Sequence, residues 1–404
     1  MFNKKTIEDI DLKNKKVIVR VDYNVPLDSD LNVKDNTRIK LSLPTLNYLL
    51  SQNCKVILMA HLGRPKGEVV DKYRLTPVAK ELEKLIGKTV KKFDEIVTDE
   101  IKDYIGKTMK NGEIVMLENV RFNAGETKNN LDFAKELASL ADIYVNDAFG
   151  AAHRAHSSTA GIAQYLPAVA GFLLKTEVEE LTSILEKPQK PFLAVLGGAK
   201  VADKIMVIKN FLNIVDSIIV GGGMSYTFLK SKGYEIGRSI HAEDPSEYEN
   251  QIKFAREAIQ EAQKNNISFI TPVDVVVGKM DSEGNIVDKK TVNADAIPSD
   301  YEGFDMGEET MRLYEKEIAS AKTIFWNGPV GFFENPEFEN GTKRVANAIA
   351  ESNAKTIVGG GDTLAALKKF GLTDKISHVS SGGGASMELL EGKLLPGVAA
   401  LLDK

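Results

Sequence analysis

The chain has very little cysteine and histidine for its 404 residues. Cys54 is its one cysteine, and there are five histidines. A single cysteine cannot form an internal disulfide, and it leaves no thiolate pair to bind zinc. His153 and His156 have a spacing that could bind a metal ion, but no third ligand lies nearby in the sequence. These shortages exclude a disulfide scaffold and disfavour a transition-metal site.

Long apolar runs are also missing. The N-terminal stretch MFNKKTIEDIDLKNKK has no apolar signal core, no later stretch approaches the length of a membrane span, and the C-terminal LLDK matches no targeting signal. The formal net charge of -5 offers no overall attraction to nucleic acid or to an anionic membrane. We therefore expect a cytoplasmic protein that binds neither nucleic acid nor membranes.

Short apolar runs with a preference for β-structure are abundant, and they alternate with segments of helical period. The clearest runs are KVIVRVDYNV, CKVILMAHL, FLAVLGG, SIIVGGG, KTIFWNG and KTIVGGG. Such alternation predicts βαβ units, and hence mostly parallel sheets covered by helices on both faces. The predicted fold class is α/β and Rossmann-like.

A change of pattern in the middle of the chain predicts two domains. Residues 172–190 have apolar side chains at helical spacing, and Pro188 and Pro191 then stop the pattern. We predict a first domain over residues 1–172, a joining helix over 173–187 and a second domain over 188–390.

Clusters of glycine occur in the second half, as triplets at 221–223, 359–361 and 382–384 and as the pair 197–198. Glycine lets a ligand approach the backbone closely, and a helix N-terminus binds anions. Such turns at the carboxyl ends of parallel strands suit a nucleotide, although tight turns alone could also explain them. The absence of G-x-G-x-x-G and of a Walker A sequence argues against a P-loop NTPase and weakens the case for a nicotinamide dehydrogenase.

Charged residues follow two of these glycine turns. Lys200 and Lys204 would share one face of a helix and could bind a polyanion together, or they could form a solvated lysine face. Asp362 and Thr363 stand where another helix would begin. Asp362 could cap that helix, or it could bind a magnesium ion that takes its other ligands from nucleotide phosphates and water.

Arginine is scarce, and its placement in the first half is informative. Arg38, Arg64, Arg121 and Arg154 lie in or beside turn-like segments. A guanidinium binds phosphate or carboxylate with a planar fork, so four of them could form a site for a small, heavily charged anion. Each could instead be a surface ion-pair residue.

Polar residues accompany these arginines. His61 lies in the segment HLGRP, and Asp22 and Asn24 lie in RVDYNVP. Asp22 and Asn24 could hydrogen-bond a hydroxylated substrate, or they could form an Asx turn before Pro26.

Eight segments taken together resemble the phosphoglycerate kinase family. In order along the chain they are RVDYNVP, HLGRP, AHRAHSS, GGAKVADKI, GGGMSYTFLK, FWNGPVGFFE, GGGDT and VSSGGGAS. Two small departures occur: Tyr23 stands where the family often has phenylalanine, and Ser381 where threonine is common.

The resemblance implies two α/β domains that face a central cleft, with residues of about 391–404 returning to the first domain. It implies that the first domain binds 3-phosphoglycerate or 1,3-bisphosphoglycerate, and that the second binds ADP or ATP with Mg²⁺. It favours a monomer. Because each ligand would belong to a different domain, we expect a hinge closure around residues 172–190.

The resemblance also implies roles for single residues. Arg38 and Lys200 would be catalytic, and Asp362 would hold the magnesium ion. The substrate contacts would be Asp22, Tyr23, Asn24, Arg38, His61, Leu62, Gly63, Arg64, Arg121 and Arg154. The nucleotide contacts would be Lys204, Gly221, Gly222, Asn327, Glu334, Gly360, Gly361, Asp362 and Thr363. The competing hypotheses are a nicotinamide-dependent dehydrogenase and a non-catalytic nucleotide-binding protein.

Overall fold

The computed structural model describes residues 2–404, which form two compact units. Unit 1 consists of residues 2–179 and 393–404, and unit 2 of residues 180–392. The strands are β1 (Lys16–Val21), β2 (Lys55–Met59), β3 (Val90–Lys92), β4 (Ile114–Met116), β5 (Ile143–Asp147), β6 (Ala168–Ala170), β7 (Phe192–Leu196), β8 (Ser217–Val220), β9 (Ser268–Ile270), β10 (Asp274–Met280), β11 (Ile286–Asn293), β12 (Glu302–Met306), β13 (Thr323–Asn327), β14 (Lys355–Gly359) and β15 (His378–Val379).

The helices follow the strands in the alternating order that the sequence predicts. They are α1 (Thr37–Ser51), α2 (Thr76–Ile86), α3 (Asp99–Asp103), α4 (Leu131–Ala138), α5 (Phe172–Glu186), α6 (Ile205–Phe211), α7 (Met224–Ser231), α8 (Pro245–Lys264), α9 (Glu308–Ser320), α10 (Asn340–Glu351), α11 (Gly361–Phe370), α12 (Gly384–Leu390) and α13 (Pro396–Ala399). None of the helices within residues 2–404 has the length and apolar character needed to cross a bilayer.

Unit 1 is built on a six-stranded parallel sheet with the order β3-β4-β2-β1-β5-β6. Its central strands are buried along nearly their whole length, which explains their continuous apolar sequences. Because all six strands run in the same direction, the loops after β1, β2, β4 and β5 emerge at one edge of the sheet. That edge carries the candidate residues of the first half.

Unit 2 contains a second six-stranded parallel sheet, with the order β15-β14-β13-β7-β8-β9. The α/β prediction, with two parallel sheets flanked by helices, is therefore confirmed. Unit 2 also has a three-stranded antiparallel sheet with the order β11-β10-β12, which the sequence analysis does not predict. The sequence of β11, IVDKKTVN, is polar and mostly exposed, so it lacks the apolar signal of the other strands.

The boundary between the units falls between residues 179 and 180, within α5. The C-terminal residues join unit 1 through specific contacts. Lys4 donates hydrogen bonds from Nζ to the carbonyl oxygens of Ala399 and Leu401, and it forms an ion pair with Asp403. The assignment of a ligand to each unit stays a prediction.

Candidate active site

The carboxyl edge of the unit 1 sheet brings together residues that are far apart in the sequence. Three loops supply most of them: Asp22 and Asn24 follow β1, residues 61–64 follow β2, and Arg121 lies in a single 3-10 turn after β4. Arg154 comes from the segment after β5. Since parallel α/β sheets bind ligands at this edge, these residues are placed where a small anion can be held.

Arg38 is anchored through only one of its nitrogen atoms. Its Nη1 donates to Asp22 Oδ1 at 3.1 Å and to the carbonyl oxygen of Asn24 at 3.2 Å. The backbone N–H of Asn24 also approaches Asp22 Oδ1, at 3.4 Å, which is the predicted Asx turn. Nε and Nη2 of Arg38 make no hydrogen bond with any residue of the 2–404 range. The guanidinium is therefore held in place with most of its donors free.

Arg121 is partly buried among other cations. Its Nη1 donates to the carbonyl oxygen of Gly63 at 2.9 Å, while its buried Nε has no hydrogen-bond partner in the described part of the chain. Burial, followed by the charges of Arg20, Arg154 and Arg64, lowers the pKa of Arg121 to about 10. A group of guanidinium charges that repel one another in this way is suited to a phosphate.

Two further arginines of this group are exposed. Arg64 makes no ion pair or hydrogen bond within residues 2–404, and Arg154 donates from Nε to His153 Nε2 at 3.0 Å. Among residues 2–404, no carboxylate lies at salt-bridge distance from either of them. The structure thus brings Arg38, Arg64, Arg121 and Arg154 to one edge of the sheet.

Four of the predicted substrate residues are buried: Asp22, Tyr23, His61 and Leu62. Tyr23 is fully buried and its hydroxyl bonds to Ser42 Oγ at 2.7 Å, so only its main chain could contact a ligand. Leu62 is 3% exposed. His61 is 6% exposed, and its Nδ1 lies 2.9 Å from Arg20 Nη2. Burial, followed by the positive charges of Arg20 and Arg121, holds the pKa of His61 well below its usual range.

Three further polar residues, to which no sequence pattern assigns a role, are buried beside this site: Arg20, Ser158 and Glu126. Arg20 Nε donates to Ser158 Oγ at 2.9 Å, and Ser158 Oγ donates to Glu126 Oε1 at 2.6 Å. The signal that could have found Arg20 is a charged residue inside an apolar strand, KVIVRV. A buried charge of this kind needs partners that are also buried.

In unit 2, a cavity of about 450 Å³ lies at the carboxyl ends of β7, β13 and β14. Its lining consists of Gly197, Gly198, Ala199, Lys200, Asp203, Lys204, Asn327, Gly328, Gly360, Gly361, Asp362 and Thr363. Gly197 is required here by close packing, because a Cβ at this position would lie 2.1 Å from the carbonyl oxygen of Pro329. Gly360 has φ of 94° at the start of α11, a conformation that favours glycine.

The expectation that Lys200 and Lys204 share one α-helix face is wrong. Helix α6 begins only at Ile205, and Lys204 ends a 3-10 turn. The glycine segment before this helix packs against the loop after β13, where Gly198 N–H donates to the carbonyl oxygen of Pro329 at 2.8 Å, and this contact holds the backbone out of a helix at the glycines. Both lysines nevertheless line the same cavity.

Several donors in this cavity lack a partner. Lys200 is exposed and makes no ion pair in the described chain. Asn327 Nδ2 is buried and has no hydrogen-bond partner among residues 2–404. Burial lowers the pKa of Lys204, while the carboxylates of Asp203 and Asp362 act in the opposite direction. Such donors around glycine turns and the start of α11 are suited to the phosphates of a nucleotide.

The expectation that Asp362 caps a helix is also not met. The N-cap of α11 is Gly360, and no side chain caps it. Asp362 is exposed, lines the cavity and makes no hydrogen bond with another described residue. Within residues 2–404 no group of three or more metal-ligating side chains occurs. Asp362, with Asp203 nearby, fits a magnesium ion that is held mainly by nucleotide phosphates and water.

A second cavity of unit 2, of about 410 Å³, shares Gly198, Ala199 and Asp362 with the first. Its other lining residues are mostly apolar or glycine: Gly222, Gly223, Tyr226, Ile240, Met280, Glu302, Gly303, Phe304, Pro329, Gly331, Phe332 and Glu334. A mostly apolar cavity next to a cavity with lysine and backbone donors is suited to the base and the phosphates of a nucleotide.

Only some of the predicted glycines line the two cavities. Gly222 lines the apolar cavity, whereas Gly221 lies behind it, where a Cβ would meet Val330 at 2.6 Å. The triplet 382–384 lines neither cavity. The sequence analysis misses Met280 and Phe304, which come from the antiparallel sheet that it does not predict.

Comparisons with known proteins agree with one another. Residues 7–393 match the family model described as phosphoglycerate kinase. A phosphoglycerate kinase from Moorella thermoacetica is 51% identical over 404 residues, covering 99% of this chain and 100% of the relative. Two solved structures are similar, each with 98% of both chains covered: phosphoglycerate kinase from Coxiella burnetii (43% identity, TM-score 0.88) and from Pyrococcus horikoshii (33% identity, TM-score 0.82).

Proposed function

The chain belongs to the phosphoglycerate kinase family, and on that premise we propose that unit 1 binds the phosphoglycerate and unit 2 the nucleotide. The activity is that of a phosphotransferase: the acyl phosphate of 1,3-bisphosphoglycerate passes reversibly to ADP, giving ATP and 3-phosphoglycerate. The observation that supports the division best is that each unit gathers its own set of cationic side chains at the carboxyl edge of its parallel sheet. One edge is rich in arginine, and the other has glycine turns and lysines.

In unit 1, we assign the phosphate of 3-phosphoglycerate to Arg64, Arg121 and Arg154, whose charges have no carboxylate partner at salt-bridge distance. Asp22 and Asn24 are the hydrogen-bonding groups for its hydroxyl. The attacking group in the ATP-consuming direction is a carboxylate, which is already ionised at neutral pH. No general base is therefore needed, and the chain only has to orient the acid.

In unit 2, the apolar cavity takes the base, and Glu334 at that cavity takes the ribose. Lys204, Asn327 and the start of α11, from Gly360 to Thr363, hold the phosphates. Magnesium bound with the nucleotide would be held by Asp362, and it supplies charge neutralisation at the phosphate oxygens.

The transfer itself is assigned to Arg38 and Lys200. In the ATP-forming direction, the bond between the acyl oxygen and phosphorus breaks as a β-phosphate oxygen of ADP bonds to that phosphorus. Phosphoryl transfer depends mainly on alignment and on charge stabilisation, so free donors of Arg38 and the unpaired ammonium of Lys200 are suited to the moving group. The two ligands must meet for this step, which requires closure around residues 172–190 and excludes water. Solution scattering should show compaction when both ligands are bound.

A coupled assay for ATP formation from 1,3-bisphosphoglycerate and ADP tests the proposal. We expect magnesium-dependent ATP formation that is lost when Arg38 or Lys200 is replaced. A change in nicotinamide absorbance with hydroxy acids, without any need for ADP, would indicate the dehydrogenase instead. Nucleotide binding without turnover would indicate a non-catalytic binding protein.

We further propose that the protein works as a cytoplasmic monomer that binds no nucleic acid. The net charge of -5 argues against nucleic-acid binding, and a single cysteine suits a reducing compartment, whereas the monomer rests on the family resemblance. Light scattering on a sizing column should give the mass of one 44.3 kDa chain. A larger mass at working concentration would contradict the monomer.

A further inference from the structure

A fully buried arginine lies beside the proposed phosphoglycerate site without forming part of its surface. Arg20, within β1, has no exposed area, whereas Arg64 and Arg154 are exposed. A guanidinium without accessible surface cannot contact a bound acid. Any influence of Arg20 on the reaction must therefore pass through the groups that it touches.

The hydrogen bonds of Arg20 use three of its nitrogen atoms. Nε donates to Ser158 Oγ at 2.9 Å, Nη1 to the carbonyl oxygen of Val21 at 2.6 Å, and Nη2 lies 2.9 Å from His61 Nδ1. Because the guanidinium is planar, three bonds in different directions leave it one orientation.

A buried carboxylate, Glu126, ends the series of hydrogen bonds that runs through Ser158 to Arg20. Glu126 accepts from the hydroxyl of Ser158 at 2.6 Å and from its backbone N–H at 3.0 Å. The hydroxyl of Ser158 therefore donates its one hydrogen bond to Glu126. Its oxygen accepts a hydrogen bond from Arg20 Nε. Glu126 also offsets the buried positive charge, which would otherwise be costly. The donor and the acceptor are therefore determined at each step of the chain Glu126–Ser158–Arg20.

The last step determines the tautomer of His61. Arginine has N–H donors but no acceptor, so Nδ1 of His61 must present a lone pair to Arg20. In a neutral imidazole the proton then lies on Nε2. Nε2 makes no hydrogen bond within residues 2–404.

We propose that Arg20 is a positioning residue that fixes His61 in its Nε2–H tautomer, so that the imidazole donates a hydrogen bond to the bound phosphoglycerate. This rests on the proposed function, which places His61 against that acid. The low pKa of His61 agrees with a neutral donor, which orients the acid without adding another charge to the four arginines.

The first test is nuclear magnetic resonance on the full-length, unmodified chain labelled with ¹⁵N. Only five histidines contribute signals, and the loss of one set in His61→Gln assigns His61. Long-range ¹H–¹⁵N correlations distinguish the two tautomers. We expect the Nε2–H form, with its Nε2 signal shifted by saturating 3-phosphoglycerate. An Nδ1–H form would overturn the proposal. If calorimetry shows saturation while the His61 signals stay unchanged, the placement of His61 at the substrate is wrong, and the positioning role fails with it.

The second test uses Arg20→Met, which removes every donor at similar length. We expect this variant to raise the KM for 3-phosphoglycerate by about tenfold, the effect of one lost hydrogen bond to a charged ligand. The KM for ATP should stay within about twofold of its value in the unmodified chain. His61 should then give averaged tautomer signals, and Arg20→Lys should restore part of the effect. Arg74→Met is the control, because Arg74 also pairs with a buried carboxylate, Glu118, in unit 1. Lower thermal stability alone, with the His61 tautomer and both KM values unchanged, would show that Arg20 is merely structural.

A third comparison decides the matter if Arg20→Met does not fold. In His61→Gln the side-chain amide can stand where Nε2–H stands, whereas in His61→Asn the amide oxygen can replace only the Nδ1 acceptor. We expect His61→Gln to bind 3-phosphoglycerate more tightly than His61→Asn. The opposite order would mean that the Nδ1 side of the ring is the important one for ligand binding, and it would refute the proposal.

Discussion

Replacing Arg38 by methionine tests the proposed transfer step most directly. Arg38 uses Nη1 on Asp22 and Asn24, and its remaining donors have no hydrogen-bond partner within residues 2–404. Arginines that stabilise a moving phosphoryl group contribute roughly 10³ to 10⁵ in rate. Because the Arg38 side chain is 35% exposed and already shares its charge with Asp22, we take the lower end of this range. The expected loss in kcat is about 10³, or about 4 kcal/mol.

The cost in stability should be much smaller than the loss in rate. Asp22 would lose an ion pair, but it would keep the backbone N–H of Asn24. Arg38 is 35% exposed but Asp22 only 6%, so the loss of this pair should cost about 1–2 kcal/mol, at the lower end for a buried acceptor because Asp22 keeps one donor. Arg38→Lys keeps the charge without the planar fork, so it should recover about tenfold of the lost rate. Lys40→Met, at an exposed position of the same helix, is the matched control.

The assay is steady-state kinetics in both directions, with the Kd of 3-phosphoglycerate from calorimetry and the melting temperature for each variant. A fall in kcat without a matching rise in KM would place Arg38 at the transferring group. A folded Arg38→Met protein that keeps kcat within about threefold of the unmodified chain would refute the catalytic role, since the predicted effect is about 10³.

Three further results are expected. Lys200→Met should lower kcat by about 10² to 10³ and leave the Kd of ADP nearly unchanged. Lys209 is an exposed lysine of α6, and Lys209→Met should change neither value. Equal effects of the two variants would contradict the role of Lys200. Burial raises the pKa of Asp147 to about 6, so its stabilising contribution is complete below about pH 4 and is lost as the pH rises through about 6. Asp147→Asn should therefore flatten this part of the curve of unfolding free energy against pH, and an unchanged slope would count against the assignment. Gly197→Ala should destabilise unit 2 by about 1–3 kcal/mol in denaturant titrations. A Cβ at Gly106 meets nothing within 4 Å, so Gly106→Ala should leave the stability nearly unchanged. Equal stability of the two variants would refute the packing argument.

The sequence predicts the two parallel sheets well because their central strands are buried on both faces and hence mostly apolar. It fails for β11, whose exposed lysines and aspartate resemble a loop. It also starts α6 too early, because the packing of Gly198 against Pro329 is a tertiary contact that no local pattern contains.

The sequence predicts which residues are candidates for binding and catalysis, but it does not predict how they are arranged in space. Arg38 and Arg121 come together because β4, β2 and β1 are neighbours in the sheet, an order that differs from their order in the chain. Arg20 was overlooked for a related reason. Its role depends on Ser158 and Glu126, which become its neighbours only when the sheet has formed.

The return of residues 393–404 to unit 1 has a consequence for synthesis on the ribosome. All of unit 2 leaves the ribosome before the last residues of unit 1, although unit 1 begins first. Lys4 and Asp403 must find each other across almost the whole nascent chain, and such distant pairs close slowly. Unit 2 is a continuous segment and can therefore fold before residues 393–404, which complete unit 1, have been added. Chains released from the ribosome after residue 392 should accordingly resist protease in the second half while the first half stays incompletely protected.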